Sequence, residues 1–440
     1  MRKKLSVFGL GKLGVPVVAC LISKGFEVIG VDLDAQKVDM LQKLISPVQE
    51  PRVQEMLNSF GKSLTVTQDG VEAVMNSDIT FVIVATPSEV SGSFSNQYVL
   101  DACKLIGKAL HKKKSYHLVS ITSTVMPGSM NNVIQPCLEK TSGLCTIQDF
   151  GLCYNPEFIA LGSVVRDFLN PDFILIGESD IKAGEILSKI YPQVCDNNPP
   201  VARMNFINAE LTKLALNTFV TTKISFANML ARICEKLPNA DVDVVSSALG
   251  LDSRIGKKYL KGAISYGGPC FPRDNRALTV LAESVSVKAE IAKITDSFNR
   301  SQITWLADFA LSYLNNKGTI GILGLTYKTN TNVVEEAPGA LLLKELISRN
   351  VPVVAYDPLG NENTKALVGT TVSLTETAEE CIKASDLVIV ATPWREFSEI
   401  PGTIWVRKKF PRTVIDCWRM LKHLANDEDV RYLPLGMGCI

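Results

Sequence analysis

Among its 440 residues the chain has only three histidines, His111, His117 and His423. They lie too far apart in sequence to predict a metal site. Eleven cysteines are present, but none forms a CxxC pair, and most, like Cys20 and Cys234, sit inside apolar runs. They read as small buried hydrophobes in a reducing compartment, not as a disulfide framework. Charge of one sign is also lacking: 46 Lys and Arg face 45 Asp and Glu, for a net charge of +1. That removes the electrostatic case for nucleic acid or an anionic membrane as partner. No apolar run is long enough to span a bilayer. The start, "MRKKLSVFGLGKLG", interrupts its apolar run with glycines and a lysine, unlike a signal peptide. A low-complexity linker is missing too. These absences predict a soluble, cytoplasmic protein, and the length predicts two or three domains.

What is present begins with "KLSVF", a short buried strand. "GLGKLG" follows, then an apolar-periodic helix, "VPVVACLISK", ending at Gly25, then a second strand, "FEVIGVD", finishing on Asp32. This strand, glycine turn, helix, strand unit is the context a dinucleotide fingerprint requires. Gly9 permits the tight turn, Gly11 lets backbone approach a pyrophosphate, and Gly14 allows close helix–strand packing. Lys12 and Leu13 complete the turn, and the helix N-terminus offers free N–H groups to phosphate. Asp32, 18 residues after Gly14, is placed to accept from a ribose diol and favours NAD over NADP. Lys37 runs against that preference, since it could reach a 2′-phosphate.

Two further strands, in "DITFVIVATPS" and "YHLVSITSTVMPG", bring Thr86, Pro87, Ser88, Ser123 and Thr124 to one sheet edge, where ligands of open α/β sheets lie. A long helix is expected over 205–236, apolar around most of its circumference and therefore buried against both domains or a partner subunit. Lys213 and Asn217 are spaced i, i+4 on one face of it. A second strand-helix-strand unit starts near residue 318 with "GTIGILGLTYK", "PGALLLKELISRN" and "VPVVAYDP". "ASDLVIVATPW" then echoes "NSDITFVIVATPS". Residues 296–317 continue a helical pattern and read as a connector. The expected fold is α/β: two Rossmann-like, doubly wound parallel-sheet domains joined by a long central helix and a helical dimerisation region. Domain limits are expected at 1–200, 201–300 and 301–440.

"YGGPCFPRD" sets Cys270 between backbone-permissive residues and an Arg-Asp pair. Two readings stand: a buried thiol beside a turn, or a nucleophile. With "GLGKLG", "STVMPG", "NPEF", "AELTKLALNTFVTTKISFAN", "LDSRIG", "YGGPCFPRD", "ILGLTYK" and "YDP" in this order, the chain resembles the UDP-glucose/GDP-mannose dehydrogenase family over essentially its whole length. The resemblance implies a four-electron oxidation at C6 of a nucleotide sugar, consuming two NAD+. It makes Cys270 the nucleophile that carries a thiohemiacetal and then a thioester. Lys213 would stabilise oxyanions, Asp274 and Glu157 would position or deprotonate water with Thr124, and Asn217 would orient the sugar. The nucleotide sugar would be wrapped by "KGAISYGG" (Lys261, Tyr266, Gly267, Gly268) with Tyr259, Phe158, Tyr327 and Arg419. Lys328 would meet its diphosphate. Arg254 would either reach a site across a homodimer or higher oligomer, or cap a helix or pair with Asp252.

Departures from the family pattern concern substrate recognition. Leu161 stands where many members carry a second glutamate. Val333 and Glu335 replace an Asp and an Arg, Trp418 replaces an Arg, and Arg273 replaces a lysine. The default expectation is oxidation of UDP-glucose to UDP-glucuronate, of the kind that supplies capsule or cell-wall polysaccharide. Alternatives are a UDP-N-acetylhexosamine or GDP-mannose. A two-electron hydroxyacid or phosphogluconate-type dehydrogenase would need neither Cys270 nor residues 318–440. A non-catalytic nucleotide-sugar-binding protein would not need Cys270, Lys213 and Asp274 together.

Overall fold

The structure, a computed structural model, describes residues 3–314, 318–369, 372–407 and 411–438. Cys439 and the end of the predicted 296–317 connector lie outside them. The chain divides into two units, Met1–Ala215 and Leu216–Ile440.

In the first unit, strands β1 (Leu5–Phe8), β2 (Val28–Val31), β3 (Leu64–Thr67), β4 (Ile79–Val82), β5 (Leu118–Ile121), β6 (Gly151–Tyr154), β7 (Ile174–Glu178) and β8 (Val201–Met204) form one sheet, ordered β3-β2-β1-β4-β5-β6-β7-β8. Pairing is parallel, in the doubly wound manner expected, except between β6 and β7. The central strands are buried throughout because helices cover both faces. Leu5, Val7, Ile79 and Phe81 pack with Val17, Val18 and Leu21 of the helix Gly14–Ser23. Phe8, Val82, Val119 and Ile121 pack with Val99 and Ile106 of the helix Gln97–Lys112 on the other face.

One polar chain interrupts this core. Lys113 Nζ donates to His117 Nδ1 (3.1 Å), so Nε2–H of His117 donates to Thr80 Oγ1 (2.8 Å), which in turn meets Ser6 Oγ (2.7 Å). His117 is wholly buried. Burial, reinforced by the Lys113 charge, pushes its pKa from 6.5 down to about 3, so the ring is neutral.

The second unit holds β9 (Ile320–Leu323), β10 (Val353–Tyr356), β11 (Ser373–Leu374), β12 (Leu387–Val390), β13 (Arg412–Asp416) and β14 (Val430–Pro434), all parallel, ordered β11-β10-β9-β12-β13-β14. Its first turn begins and ends as that of the first unit does. Gly9 and Gly324 both have φ +96°, and a Cβ on Gly14 or Gly339 would sit 1.8 or 2.0 Å from the carbonyl oxygen of Gly9 or Gly324. Asp32 Oδ2 accepts from Leu10 N, and Asp357 Oδ2 from Leu325 N, each at 2.7 Å. The second turn is longer, and its loop carries Tyr327 and Lys328.

The predicted long helix runs from Phe206 to Cys234, about 43 Å at 1.5 Å per residue. Its expected all-round burial is not met within one chain: Phe219, Phe226 and Ile233 are 67, 46 and 46% exposed. Among the described residues, no helix is long and apolar enough to cross a membrane.

Candidate active site

In the first unit the register aligns Phe8 of β1 with Val82 of β4 and hence with Ile121 of β5, so their carboxyl ends share an edge. Over that edge the turn Gly9–Gly14 leads into its helix, with Leu13 at the N-cap and Lys12 exposed. Packing explains Gly9 and Gly14, whose added Cβ atoms would strike backbone, but a Cβ on Gly11 would meet nothing within 4 Å. The space above Gly11 is open to a ligand that must lie against bare backbone, as a pyrophosphate does. Asp32 accepts from Leu10 N through Oδ2 and from Asp34 N (2.9 Å) through Oδ1. A carboxylate has about four acceptor sites, so capacity remains for a ribose diol. Lys37 Nζ lies 3.9 Å from Asp32 and 3.8 Å from Asp34. Its charge is directed at these carboxylates, which favours a 2′-hydroxyl over a 2′-phosphate here. These residues fit NAD.

Thr86 is buried, Pro87 exposed and Thr124 half-buried at the same edge. Ser123 is committed otherwise: its hydroxyl accepts from Val84 N (2.9 Å) and donates to Val84 O (2.7 Å). It ties the loop after β5 to the loop after β4, so its contribution to a cofactor is to fix the edge.

Lys213 does not snorkel. It is 7% exposed, donates to Glu157 O at 2.6 Å and lies 4.5 Å from the Phe158 ring centroid. Phe158 in turn packs on Phe173 at 4.8 Å. The Glu157 carboxyl is turned inward. It lines a cavity of about 10 Å³ with Val17, Leu21, Phe81, Ile83, Thr122 and Tyr191 among its walls. Burial raises its pKa to about 7, against the opposing pull of the Lys213 charge. To act on water at a sugar, this side chain must first turn out of the cavity.

The second unit holds the cysteine loop. Cys270 is exposed, which rules out the buried-thiol reading, and it is the N-cap of the helix Phe271–Ser284. By contrast, burial pushes the thiols of Cys20 and Cys381 to about 12. A helix N-terminus carries partial positive charge, which favours a thiolate placed against it. One turn on, Asp274 is fully buried; Oδ2 accepts from Asn217 Nδ2 (2.6 Å) and Oδ1 from Arg273 Nε (3.1 Å). Asn217 and Asp274 are thus brought into direct contact. Asn275 then donates to Thr221 Oγ1 (2.9 Å) and Tyr266 Oη (3.0 Å).

The segment before the cysteine is held by two buried amides that the sequence reading missed. Asn228 accepts from Ala263 N (2.8 Å) and donates to Ile264 O; Asn299 accepts from Tyr266 N (2.7 Å) and donates to Tyr266 O (2.9 Å). A signal existed for Asn228. Asn217, Thr221 and Asn228 are polar at spacings of four and seven on an apolar helix, hence on one face. Gly267 and Gly268 allow a close crossing: a Cβ on the first would lie 2.2 Å from Glu336 O, and on the second 2.7 Å from the Tyr327 ring. The cysteine loop therefore lies against the loop bearing Tyr327 and Lys328. Of the departures, Val333 is buried and Glu335 is exposed, its carbonyl accepting from Gly268 N at 3.2 Å. Trp418 donates to Ala391 O (2.9 Å).

Arg419 corrects its expected role. Nε and Nη2 grip Asp243 at 2.8 Å each, Nη2 also donates to Gly262 O and Nη1 to Leu435 O, both at 2.7 Å, and Nη1 further to Cys417 O at 3.4 Å. All five donors are used, leaving none for a substrate. Arg254 pairs with Asp252 (2.6 Å) at the surface. Tyr259 and Lys261 are exposed, the latter 5.8 Å from the Trp418 ring.

Comparison with known proteins matches three consecutive sequence models of the UDP-glucose/GDP-mannose dehydrogenase family: the NAD binding domain over residues 3–195, the central domain over 207–301 and the UDP binding domain over 321–423. UDP-glucose 6-dehydrogenase YwqF of Bacillus subtilis is 33% identical over 401 residues, covering 90% of this chain and 89% of that protein. GDP-mannose 6-dehydrogenase of Pseudomonas syringae pv. syringae is 34% identical over 361 residues, covering 80% of each. Among solved structures, a UDP-glucose dehydrogenase from Pyrobaculum islandicum has 29% identity and a TM-score of 0.89, covering 100% of this chain and 98% of that one. A UDP-D-ManNAc dehydrogenase from Pyrococcus horikoshii, at 23% identity and TM-score 0.83 over 99% of this chain and all of that one, shares the fold.

Proposed function

Because the chain belongs to the UDP-glucose/GDP-mannose dehydrogenase family, and so is an NAD-dependent nucleotide-sugar dehydrogenase, we propose that it oxidises C6 of UDP-glucose to the carboxylate through a covalent bond to Cys270. The observation that carries this reading is the exposed Cys270 at a helix N-terminus with Asp274 and Asn217 hydrogen-bonded one turn away. NAD, when bound at the Gly9–Gly14 turn, supplies the hydride acceptor for both oxidations. Cys270 Sγ adds to C6 at the aldehyde stage: an S–C bond forms, the thiol proton leaves and the carbonyl oxygen gains one. At the acid level the same bond is a thioester. Water adds to it, the C–S bond breaks, the carboxylate departs and the thiol regains its proton. Lys213 stabilises negative charge on the C6 oxygen. Asp274, with Thr124 and with Glu157 once its side chain has turned out of its cavity, orients and deprotonates the water, and Asn217 orients the sugar through its amide.

The 261–268 segment, with Tyr259, Phe158, Tyr327 and Lys328, forms the sugar-nucleotide contacts of this proposal, within domains 1–200, 201–300 and 301–440. A homodimer or higher homo-oligomer belongs to it too, supported by Phe219, Phe226 and Ile233, exposed at heptad spacing. So does a cytoplasmic location, supported by cysteines that are mostly buried as small apolar side chains. Leu161 favours a second substrate reading, a UDP-N-acetylhexosamine or GDP-mannose, with the chemistry unchanged.

The test mixes purified protein, excess NAD+ and limiting UDP-glucose and counts NADH per sugar. Two per sugar supports the proposal; one refutes the thioester route. None with UDP-glucose but two with another of the sugars moves the substrate assignment alone. Cys270→Ser is expected to lower turnover by about a hundredfold or more, and unchanged turnover refutes the nucleophile.

A further inference from the structure

The long helix carries a second buried charge one turn before Lys213. Glu210 is wholly buried, and its carboxylate forks onto two backbone amides: Oε2 accepts from Gly128 N and Oε1 from Met130 N, each at 2.8 Å. Those amides close the loop that follows β5, where Gly128 has φ +94°. The start of the same loop is pinned by Ser123 to Val84. Thr124 lies between these two anchors. Glu210 and Lys213 are spaced i, i+3 and share a helix face.

Resting on the functional reading above, we propose that Glu210 is a positioning residue, holding the Thr124 loop in fixed register with the helix turn that presents Lys213. The two amides need two acceptors and no donor, which a carboxylate supplies. Glutamine offers one acceptor and turns an N–H toward the other amide. Among the described residues no cation pairs with Glu210: burial raises its pKa to about 7, and the two amide hydrogen bonds pull it back. An unpaired buried carboxylate costs the fold stability. That cost is tolerated at a place where displacing a loop by a fraction of an ångström would separate catalytic groups.

The experiment uses the whole chain with Glu210→Gln. Hydrogen exchange is followed in peptides covering residues 125–131, beside kcat and the KM for NAD+ with whichever sugar nucleotide the wild type turns over. Exchange at Gly128 and Met130 is expected to quicken about tenfold. The kcat is expected to fall about tenfold, with the KM for NAD+ within about twofold and thermal unfolding little changed. Unchanged exchange overturns the inference, and so does faster exchange with wild-type kcat. A loss of kcat matched by a loss of NAD+ affinity overturns it too, since that is general loosening. Should the glutamine variant not fold, Glu210→Asp keeps the charge while spanning only one amide, and the same outcomes apply. A wild type inactive on every sugar nucleotide refutes the functional reading separately, and the exchange rates alone then decide whether Glu210 holds the loop.

Discussion

His117 allows a quantitative prediction, because its buried environment fixes the charge of its ring. In the folded protein the ring is buried and held neutral down to about pH 3, whereas the unfolded chain takes up a proton near 6.5. Below 6.5 the unfolded state binds more protons, so stability falls as pH falls. Each unit is worth about 1.4 kcal/mol, giving about 2 kcal/mol between pH 6.5 and about pH 5. Glu157 and Glu210 act in the opposite sense. With pKa values raised from 4.5 to about 7, they stabilise the fold fully below 4.5 and lose that contribution as pH rises through 7. The whole chain therefore need not show the His117 slope, and it must be isolated by difference. His117→Gln is the partner for that comparison: its amide accepts from Lys113 and donates to Thr80 but does not titrate. Urea unfolding of the first unit, in wild type and variant, is expected to show the wild type losing about 2 kcal/mol more on going from pH 7 to about pH 5. The chain has three histidines, so ring resonances give a direct second reading. The one abolished by the substitution is expected not to titrate above about pH 4. A midpoint near 6.5 for that resonance, or parallel pH profiles of stability, refutes the reasoning.

Other perturbations separate binding, chemistry and structure. Lys213→Ala is expected to lower kcat about a hundredfold with a smaller change in nucleotide-sugar affinity, read by steady-state kinetics and calorimetry; normal kcat with weak binding makes it a binding residue. Gly11→Ala meets no atom of the protein, so its melting temperature is expected to hold while the KM for NAD+ rises about tenfold. Gly14→Ala drives a Cβ into Gly9 O and is expected to lose both by the same assays. Arg419→Met leaves Asp243 and three carbonyls without their donor, and about 3 kcal/mol of unfolding free energy is expected to go, measured in urea. A loss of substrate affinity with stability intact would instead restore Arg419 to the substrate site.

How legible each part was in the sequence follows from how local its cause is. The Gly9–Asp32 unit could be read because one turn and one strand decide it, and its repeat near residue 318 for the same reason. Lys213 and Asn217 could be placed on one helix face from spacing alone. Ser123, Arg419 and Glu157 were assigned to ligands by residue type and position, but what each side chain does is set by distant partners: Val84, Asp243 and an apolar cavity. Asn228 and Asn299 were overlooked because a lone amide in an apolar stretch acquires meaning only when a chain segment with unpaired backbone groups lies beside it.

Asp357 shows what the repetition of the first turn leads to. Its Oδ2 accepts from Leu325 N, Thr326 N, Thr326 Oγ1 and Trp394 Nε1, and its Oδ1 from Leu359 N and Gly360 N. Asp32 accepts far fewer and stays part-exposed. The two acids occupy equivalent posts, yet one is closed by its own loop while the other keeps room for a guest. The two units are like scaffolds, of which the first keeps an acid with acceptor capacity for a ribose diol while the acid of the second is fully occupied. Whatever the second receives must be held by its longer loop.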